Sequence, residues 1–316
     1  MQMTDYTIII PHKNIPYLLV RCIDSIPQRE DVQIIVVDDN SDIKEVNGVS
    51  LLTLPEKYPH IEFIWGKNEN GRKGAGYARN LGLERAKGKW LIFADADDFF
   101  MPCFNEILDK YKNDENDIIY FYITSVDSDT LQPATRHQYI IDCMKKIQDT
   151  NDWDLACNLH APVCKLIRSN IIKENNIFYS EVQWGNDVLF GVKTMRLANA
   201  KIISQEIMYC ATSREASLTK QVSYNSLLVR FKEIYKAITF LKQNGRKQYL
   251  TYSLYEKWLK ISHYSILRSL LLLPQLINAF GVRFFVFKII KKCVGLKRSS
   301  KDKKIAMFSI PEQSQL

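Results

Sequence analysis

Two β-branched runs near the start of the chain decide the fold: Thr7-Ile8-Ile9-Ile10 and Val32-Gln33-Ile34-Ile35-Val36-Val37. Short apolar runs of this kind predict buried strands, and Pro11 is expected to end the first one. Between them, residues 16–26 place apolar side chains at helical spacing, and Pro27 is expected to end that helix. Strand, helix and strand in this order form a βαβ unit, which implies parallel strands joined by a right-handed crossover.

The same alternation of strand and helix continues toward residue 123. Polar residues follow three of the strands, at 11–14, 38–42 and 95–98. In an open α/β sheet, a ligand lies in the crevice at the carboxyl ends of the strands. The sequence therefore predicts an α/β fold with a mostly parallel central sheet flanked by helices, and a ligand site at one edge. The further predicted elements are strands at 61–65, 90–94 and 118–123, and helices at 74–85 and 104–112.

From about residue 225 onward, the pattern is helical only. The longest uncharged run, residues 269–282, contains Pro274 and is shorter than the roughly 20 apolar residues that span a bilayer. We therefore expect an α/β domain over residues 1–225 and a helical C-terminal region over residues 226–316. The helices predicted in this region cover residues 226–243, 247–272 and 276–296.

The formal net charge of +8 is concentrated near the C-terminus. Residues 283–304 contain nine lysines and arginines but one aspartate, so the rest of the chain is nearly neutral. Within this segment, residues 284–287 form an apolar run between Arg283 and Lys288. Such a segment favours binding to an anionic membrane surface, which we expect to involve residues 264–304. A helical bundle with a solvated basic tail is the alternative.

Other classes of protein are disfavoured. The nearly neutral body lacks a sheet with interleaved aromatic residues, so we expect no nucleic-acid binding. The seven cysteines are scattered without a C-x-x-C pair, which argues against a zinc site or a disulfide framework. The N-terminal residues lack the basic flank and apolar core of a signal peptide, so we expect a cytoplasmic protein that is peripheral on the inner face of the cell membrane.

Three carboxylates follow the strand predicted at 90–94: Asp95, Asp97 and Asp98. Like charges this close together are unfavourable unless a cation offsets them. Carboxylate oxygens suit Mg²⁺ or Mn²⁺, which commonly bridge to substrate phosphates. A divalent metal held by Asp95 and Asp97 is one interpretation, and an acidic turn that caps the following helix is the other.

Two other polar stretches could contact a nucleotide. Asp38 and Asp39 follow the second strand, where a carboxylate can accept a hydrogen bond from a ribose hydroxyl or a base N–H; helix capping is the alternative. Residues 71–80 are glycine-rich and basic, so their backbone can approach a ligand closely and their cations can meet a diphosphate. This stretch matches neither the dinucleotide fingerprint nor the P-loop, and a flexible loop before a helix is the alternative.

Several motifs resemble, in order and spacing, those of family 2 glycosyltransferases. The likeness covers roughly residues 4–220. It implies a glycosyltransferase A fold, with residues 1–100 as the nucleotide-sugar-binding half and residues 101–225 as the acceptor half. It also implies a sugar transfer that inverts the anomeric carbon. The motifs are Thr7–Asn14, Ile35–Ser41, Gly76–Gly82, Gly88–Asp98 and Met101-Pro102.

The resemblance implies roles for individual residues. Pro11 and Asp39 would contact the nucleobase region, and Asp95 would lie at the ribose. Asp97, together with Asp95, would hold the metal that bridges the diphosphate. Arg79 would approach the donor. The full set of residues expected at the donor is Pro11, His12, Asn14, Asp39, Arg79, Asp95 and Ala96.

The residue that activates the acceptor is expected in the second half. Asp187 matches the family's catalytic aspartate, whereas Asn186 stands where the family frequently has glutamate. A carboxylate within hydrogen-bond reach can take the proton of a sugar hydroxyl. Glu181 is the reserve candidate, and a helix N-cap is the alternative role for Asp187. Three further residues are expected on the acceptor side: Trp184, Lys165 and Arg214.

The sequence thus predicts an inverting, metal-dependent glycosyltransferase. The expected donor is a UDP-sugar, and the expected acceptor is a hydroxyl of a glycan or lipid-linked saccharide in surface polysaccharide or lipopolysaccharide assembly. A nucleotidyltransferase or phosphotransferase could use the same aspartates. However, phosphohydrolases of the haloacid dehalogenase type carry Asp-x-Asp after the first strand, and nucleotidyltransferases usually have a glycine-rich loop there, where this chain has residues 11–14 without glycine.

Overall fold

The computed structural model describes residues 4–42, 45–67, 74–214, 222–245 and 251–281. The chain divides into two compact units, Met1–Gln221 and Val222–Leu316. The described part of the first unit combines strands and helices, and that of the second is helical. The functional roles that the sequence assigns to residues 1–225 and 226–316 stay predictions.

Ten strands and eleven α-helices lie within the described residues. The strands are β1 (Tyr6–His12), β2 (Val32–Asp38), β3 (Glu45–Val46), β4 (Val49–Ser50), β5 (Ile61–Trp65), β6 (Trp90–Phe93), β7 (Phe99–Phe100), β8 (Ile118–Asp127), β9 (Lys165–Arg168) and β10 (Lys201–Ser213). The helices are α1 (Pro16–Asp24), α2 (Leu54–Lys57), α3 (Ala75–Arg85), α4 (Phe104–Tyr111), α5 (Gln138–Thr150), α6 (Ser169–Glu174), α7 (Val188–Leu197), α8 (Tyr224–Gln243), α9 (Thr251–Tyr264), α10 (Ile266–Leu270) and α11 (Leu273–Phe280).

Eight strands form one sheet in the order β5-β2-β1-β6-β9-β8-β10-β7. The pairs β5–β2, β2–β1, β1–β6 and β8–β10 are parallel, and the three pairs that involve β9 or β7 are antiparallel. The short strands β3 and β4 form a separate antiparallel pair. The predicted α/β class with a mostly parallel central sheet is therefore confirmed.

Strand β1 lies between β2 and β6, and all seven of its residues are buried. A strand that is covered on both faces must be apolar throughout, which explains its continuous β-branched run. Ile8 pairs with Ile34 of β2 and with Ile92 of β6. Helix α3 packs closely on β1 at Gly82, where an added Cβ would lie 2.5 Å from Cγ2 of Ile9.

Pro11 does not end β1, contrary to the sequence expectation, because the strand continues to His12. The carbonyl oxygen of Ile9 accepts a hydrogen bond from the N–H of Ala94, so the polar backbone groups of Ile9 face β6. Backbone groups alternate along a strand, and those of Pro11 therefore face the same side. Since β6 ends at Phe93, the missing N–H of Pro11 removes no hydrogen bond from the sheet.

The sequence patterns predict no strand or helix between residues 124 and 225, where the structure has β9, β10 and three helices. Strand β9 has only four residues, and it joins β6 to β8 in antiparallel pairing. The first seven residues of strand β10 are half-buried or exposed, and its register with β8 shifts near Ile207. Strand β9 is too short, and strand β10 too irregular in its burial, to be identified as a strand from sequence.

The second unit is helical where it is described. The predicted helix over 247–272 is in fact two helices, α9 and α10, because Ser265 interrupts it and accepts a hydrogen bond from the N–H of Arg268. Helix α11 carries Pro274 in its first turn, where a proline removes no intrahelical bond. Residues 282–296 of the helix predicted over 276–296 lie outside the described part. Within the described part, no helix is long and apolar enough to cross a membrane.

Replacing Tyr6 by phenylalanine should destabilise the first unit. The hydroxyl of this buried side chain donates to the carbonyl oxygen of Leu108 at 2.5 Å and so ties β1 to α4. Its loss leaves a buried carbonyl without that donor, and we expect the free energy of unfolding to fall by about 1–3 kcal/mol in urea titrations. Tyr122→Phe is the matched control, because its hydroxyl donates to an exposed Gln148. Equal effects in the two variants would contradict this account of the core.

Candidate active site

Three polar segments meet where β1, β2 and β6 end. These strands are adjacent and parallel, so their carboxyl ends lie at one edge of the sheet. The N–H of Asp39 donates to the carbonyl oxygen of His12 at 2.8 Å, which joins the segments after β1 and β2 directly. The structure therefore brings residues 11–14, 38–41 and 95–98 together at the edge where the sequence predicts a ligand site.

His12 and Asp38 form a buried pair that stabilises this edge of the sheet. Nδ1 of His12 lies 2.8 Å from Oδ1 of Asp38, and the N–H of Ile15 donates to Nε2 of the same ring. Because Nε2 accepts, the ring proton is assigned to Nδ1 and points at Asp38. Burial would raise the pKa of Asp38, but hydrogen bonds from His12 and Ser41 outweigh it and hold the pKa below its ordinary value. Both ring nitrogens thus have structural partners, and the donor contact expected of His12 stays a prediction.

Asp39 fixes the start of helix α3. Both of its carboxylate oxygens accept a hydrogen bond from the N–H of Gly74 at 2.9 Å, directly before the helix. A negative charge at a helix N-terminus is favourable, because the first N–H groups have no partner inside the helix. Asn14 has a left-handed backbone (φ 59°), and its N–H donates to the hydroxyl of Ser41. Asp39 and Asn14 are therefore both held by hydrogen bonds at the expected donor edge.

Arg79 joins the first half of the domain to the second. One terminal nitrogen of this buried guanidinium lies 2.6 Å from Oδ1 of Asp95, and the other donates to Oδ1 of Asn186 at 3.0 Å. Burial would lower the pKa of Arg79, but the negative charges of Asp95 and Asp187 contribute to raising it. The guanidinium therefore stays charged and holds residue 95 and residue 186 at fixed positions around it.

Asp97 forms an ion pair with Arg214, whose Nε lies 3.0 Å from Oδ2 of the carboxylate. The carbonyl oxygen of Asp97 accepts from Arg21 at 2.7 Å and from the hydroxyl of Thr212 at 2.8 Å. Burial and the nearby charge of Asp95 raise the pKa of Asp97 above its ordinary value, although Arg214 opposes the shift. Arg214 thus offsets only part of the effect that burial and Asp95 have on the pKa of this carboxyl group.

Asp98 is buried, and its carboxylate accepts a hydrogen bond from the backbone. Its Oδ1 accepts the N–H of Thr212 at 2.6 Å, and its own N–H donates to the carbonyl oxygen of Asp95 at 3.0 Å. Burial and the charges of Asp97 and Asp95 raise its pKa well above the ordinary value. Asp98 therefore closes the turn and fastens it to β10, while Ala96 is buried within the same turn.

The turn over residues 95–98, which we call the carboxylate turn, fits a divalent cation held through few protein ligands. Each arginine engages one carboxylate oxygen, since Arg79 meets Oδ1 of Asp95 and Arg214 meets Oδ2 of Asp97. Within the described ranges, no group of three or more His, Cys, Asp or Glu side chains could hold a metal by itself. Mg²⁺ and Mn²⁺ do not need such a cage, because one or two carboxylates plus water and substrate phosphates complete their coordination.

Asp187 lies at the N-terminus of helix α7. It occupies the N-cap position, but its side chain makes no capping hydrogen bond, so the alternative role as a helix cap has no support in this geometry. The helix is positioned by Gly191, where an added Cβ would come 2.7 Å from the Cα atom of His160. The carboxylate of Asp187 therefore remains available on a rigidly placed helix end.

Asn80 and Gly76 hold the segment before Asp187 against helix α3. The side chain of Asn80 donates to the carbonyl oxygen of Tyr179 at 3.0 Å and to Glu181 at 3.2 Å, and accepts the N–H of Tyr179. A Cβ at position 76 would lie 2.2 Å from the carbonyl oxygen of Ser180, so only glycine allows this approach. Glu181, the reserve base, is thus used in part to hold the segment.

The three residues expected on the acceptor side are dispersed. Trp184 is half-buried, and its indole nitrogen has no hydrogen-bond partner among the described residues. Arg214 lies instead at the carboxylate turn. Lys165 is buried, and its ammonium donates to the carbonyl oxygens of Leu159 and Ala161. An acceptor contact by Lys165 has no support in this geometry, because its hydrogen bonds are directed at the backbone.

Sequence reasoning missed Arg21 and Arg136, which surround the site, and it gave no role to Asn80, although this residue lies in the motif Gly76–Gly82. Arg136 donates to the carbonyl oxygen of Thr212, and the charges of Asp98, Asp95 and Asp97 raise its pKa against the lowering effect of burial. These residues belong to α1, to the loop after β8 and to α3. No spacing in the sequence indicates that they converge, since tertiary contacts alone bring them together.

Comparisons with known proteins agree with this architecture. The profile of the family described as Glycosyl transferase family 2 matches residues 7–175. The chain is 31% identical over 119 residues to the minor teichoic acid biosynthesis protein GgaB of Bacillus subtilis, with 36% of this chain and 13% of that protein covered. It is 22% identical over 221 residues to the poly(ribitol-phosphate) beta-N-acetylglucosaminyltransferase TarS of Staphylococcus aureus, with 67% of this chain and 36% of that protein covered. The chain thus spans a minor part of the length of both relatives.

Two solved structures show the same fold. S. aureus TarS 1-349 in complex with UDP-GlcNAc has a TM-score of 0.55 at 20% identity, with 87% of this chain and 79% of that chain covered. The mannosyltransferase PcManGT from Pyrobaculum calidifontis, in complex with GDP-Man and Mn²⁺, has a TM-score of 0.52 at 13% identity, with 97% and 80% covered. The predicted glycosyltransferase A fold is confirmed.

The buried ammonium of Lys165 should make stability depend on pH. Burial lowers its pKa to about 8, whereas an unfolded lysine titrates near 10.4. Between these two pKa values, the unfolded chain binds more protons than the folded chain, so the free energy of unfolding of the wild type should rise with pH. Relative to Lys165→Met, the rise should reach up to about 3 kcal/mol. Urea titrations of both proteins from pH 7.5 to 10.5 measure this difference. A difference that stays constant across this range would contradict the buried-lysine assignment.

Proposed function

This chain belongs to glycosyl transferase family 2, and we propose that it transfers a sugar from a nucleoside-diphosphate donor to a hydroxyl group of a glycan or lipid-linked saccharide. One observation carries the proposal. Asp39, Asp95 and Asp97 follow adjacent parallel strands, and the guanidinium of Arg79 ties Asp95 to the residue before Asp187. A donor-binding edge and a candidate base are thus parts of one connected network.

The donor half is proposed to hold a UDP-sugar. Asp39 and Pro11 would meet the nucleobase region, with Asn14 and His12 beside them, and Asp95 would accept from a ribose hydroxyl. The N–H of Asp39 donates to His12 and its carboxylate accepts from Gly74, which favours a preorganised base pocket. The relative TarS was solved with UDP-GlcNAc, which supports a uridine donor.

Asp97, with Asp95, is proposed to hold Mn²⁺ or Mg²⁺. Burial and the charge of Asp95 disfavour the ionised form of Asp97 and raise its pKa, and a bound cation would offset that cost. The metal, when bound, would offset the charge that develops on the leaving diphosphate. PcManGT was solved with Mn²⁺, which is consistent with this proposal. Arg214 lies beside Asp97 and would add a second positive charge facing the phosphates.

Asp187 is proposed as the general base of an inverting transfer. Its carboxylate would take the proton of the acceptor hydroxyl as the oxygen attacks the anomeric carbon, while the bond from that carbon to the diphosphate oxygen breaks on the opposite face. One displacement of this kind inverts the anomeric centre. Asn186 is bound to Arg79, so it would position Asp187 relative to Asp95. Trp184, three residues earlier, is proposed to pack against the acceptor sugar.

Surface-polymer assembly is the proposed setting. GgaB and TarS are named for teichoic acid synthesis and for poly(ribitol-phosphate) as substrate. We propose an acceptor of related chemistry, a surface polysaccharide or lipid-linked saccharide, and a location on the cytoplasmic face of the membrane. The concentration of positive charge after residue 283 supports binding to anionic lipid. A metal-dependent nucleotidyltransferase or phosphotransferase is the alternative, and it would need no sugar-activating base at Asp187.

Asp187→Asn should abolish sugar transfer without loss of donor binding. The amide keeps the size of the side chain but cannot take a proton, so the transfer rate should fall by about 10²–10⁴-fold. The measurement is transfer of labelled sugar from UDP-GlcNAc and other UDP-sugars to cell-envelope acceptors. Glu181→Gln is the control and should retain most activity. Full transfer by Asp187→Asn would exclude Asp187 as the base and would leave Glu181 as the candidate.

Asp97→Asn should remove the metal-dependent part of nucleotide binding. With UDP at roughly 100 times its Kd and with Mn²⁺, the wild type should gain about 2.7 kcal/mol, which corresponds to a thermal shift of about 5–10 °C. Without Mn²⁺, or in Asp97→Asn, the shift should be much smaller. Asp129→Asn makes the same charge change at an exposed position and should behave like the wild type. Equal shifts with and without metal would contradict the metal proposal.

A further inference from the structure

An exposed apolar ridge runs along α10 in the second unit. Ile266 is 70% exposed, Leu267 78%, Leu270 47% and Leu271 75%. Their spacing places all four on one side of a helical turn, and we call this surface the α10 ridge. Four large aliphatic side chains in one exposed patch are unusual for a surface that faces only water.

Helix α10 does have an inward face, so a missing inward face is not the cause of the ridge. Ser269 and Leu272 are buried, and the hydroxyl of Ser269 donates to the carbonyl oxygen of Ile266. Helix α10 thus turns a serine inward and its bulky aliphatic side chains outward. A helix that packs on its own core has the opposite arrangement. The sequence of this segment therefore favours a second apolar environment outside the chain.

The net charge of the second unit indicates what that environment is. Residues 222–316 contain eighteen lysines and arginines and four aspartates and glutamates, a net charge of +14. Residues 1–221 contain 25 cations and 31 anions, a net charge of −6. No acidic residue occurs between Glu256 and Asp302, and the ridge lies within this acid-free stretch. An anionic surface can therefore approach the ridge without repulsion from carboxylates on the same stretch.

We propose that the α10 ridge enters an anionic lipid bilayer to shallow depth, and that the net positive charge of the second unit favours this binding. The inference rests on the proposed membrane location and is independent of the transfer chemistry. A soluble polyanion would satisfy the cations but offers nothing apolar for Leu267 and Leu271. A second copy of the chain would bring another +14 unit against the first, which disfavours self-association through this surface. A bilayer with anionic headgroups supplies both the apolar phase and the negative charge.

The test is vesicle co-sedimentation of the full chain with a Leu267→Ser, Leu271→Ser double variant. Both leucines are exposed, so the change should not affect folding. With vesicles of phosphatidylcholine and phosphatidylglycerol, the variant should bind on the order of tenfold or more weakly than the wild type. The matched control is Leu52→Ser, Leu131→Ser, which removes leucines that are 60% and 52% exposed in the first unit. The control should bind like the wild type, and circular dichroism confirms that all three proteins are folded.

Three outcomes would overturn the inference. If the double variant binds vesicles like the wild type while high salt releases both, the charges alone attach the protein, and the membrane location stands without the ridge. If sedimentation velocity shows that the double variant loses self-association but keeps vesicle binding, the ridge joins two copies of the chain. If inorganic polyphosphate binds both proteins equally and neither binds vesicles, the positive charge serves a soluble polyanion, and the membrane location fails as well. Sugar transfer by soluble enzyme would be unaffected in each case.

Discussion

The site depends on the placement of three carboxylates in one turn at the end of a buried strand. Asp95, Asp97 and Asp98 repel one another, and partial burial strengthens the repulsion because water screens it less. The surrounding structure offsets it in different ways for each residue. Arg79 meets the first, Arg214 the second, and the N–H of Thr212 the third. Much of what surrounds the turn, including the end of β10, is arranged to hold these charges.

The buried guanidinium of Arg79 links Asp95 to the segment before Asp187. A buried charge is tolerated only when its partners are fixed around it, and Asp95 and Asn186 are those partners. The same helix holds the segment before Asp187 through Asn80 and through the close approach at Gly76. Helix α3 therefore determines how the second half sits relative to the carboxylate turn, although it supplies no candidate catalytic group.

The charge of the chain is divided between its two units. Read as a sequence, the chain is a nearly neutral body with a basic tail after residue 283. The division at residue 221 changes this description, because the whole second unit is strongly basic and the first unit is acidic. The apolar α10 ridge belongs to the basic unit. Nucleotide chemistry and attachment to an anionic surface can thus be assigned to different units without conflict of charge.

The sequence by itself determined the first half of the fold and the family. Apolar runs identify β1, β2 and β6 because strands buried on both faces are largely apolar, and the polar residues after them predict the ligand edge. Only the tertiary structure decided which charged residues are partners. Lys165 and Arg214 look alike in sequence, yet one is bound to backbone carbonyls and the other meets Asp97. Such pairings depend on contacts between residues far apart in the chain, on burial, and on short irregular strands such as β9. The local spacing of residues does not indicate these pairings.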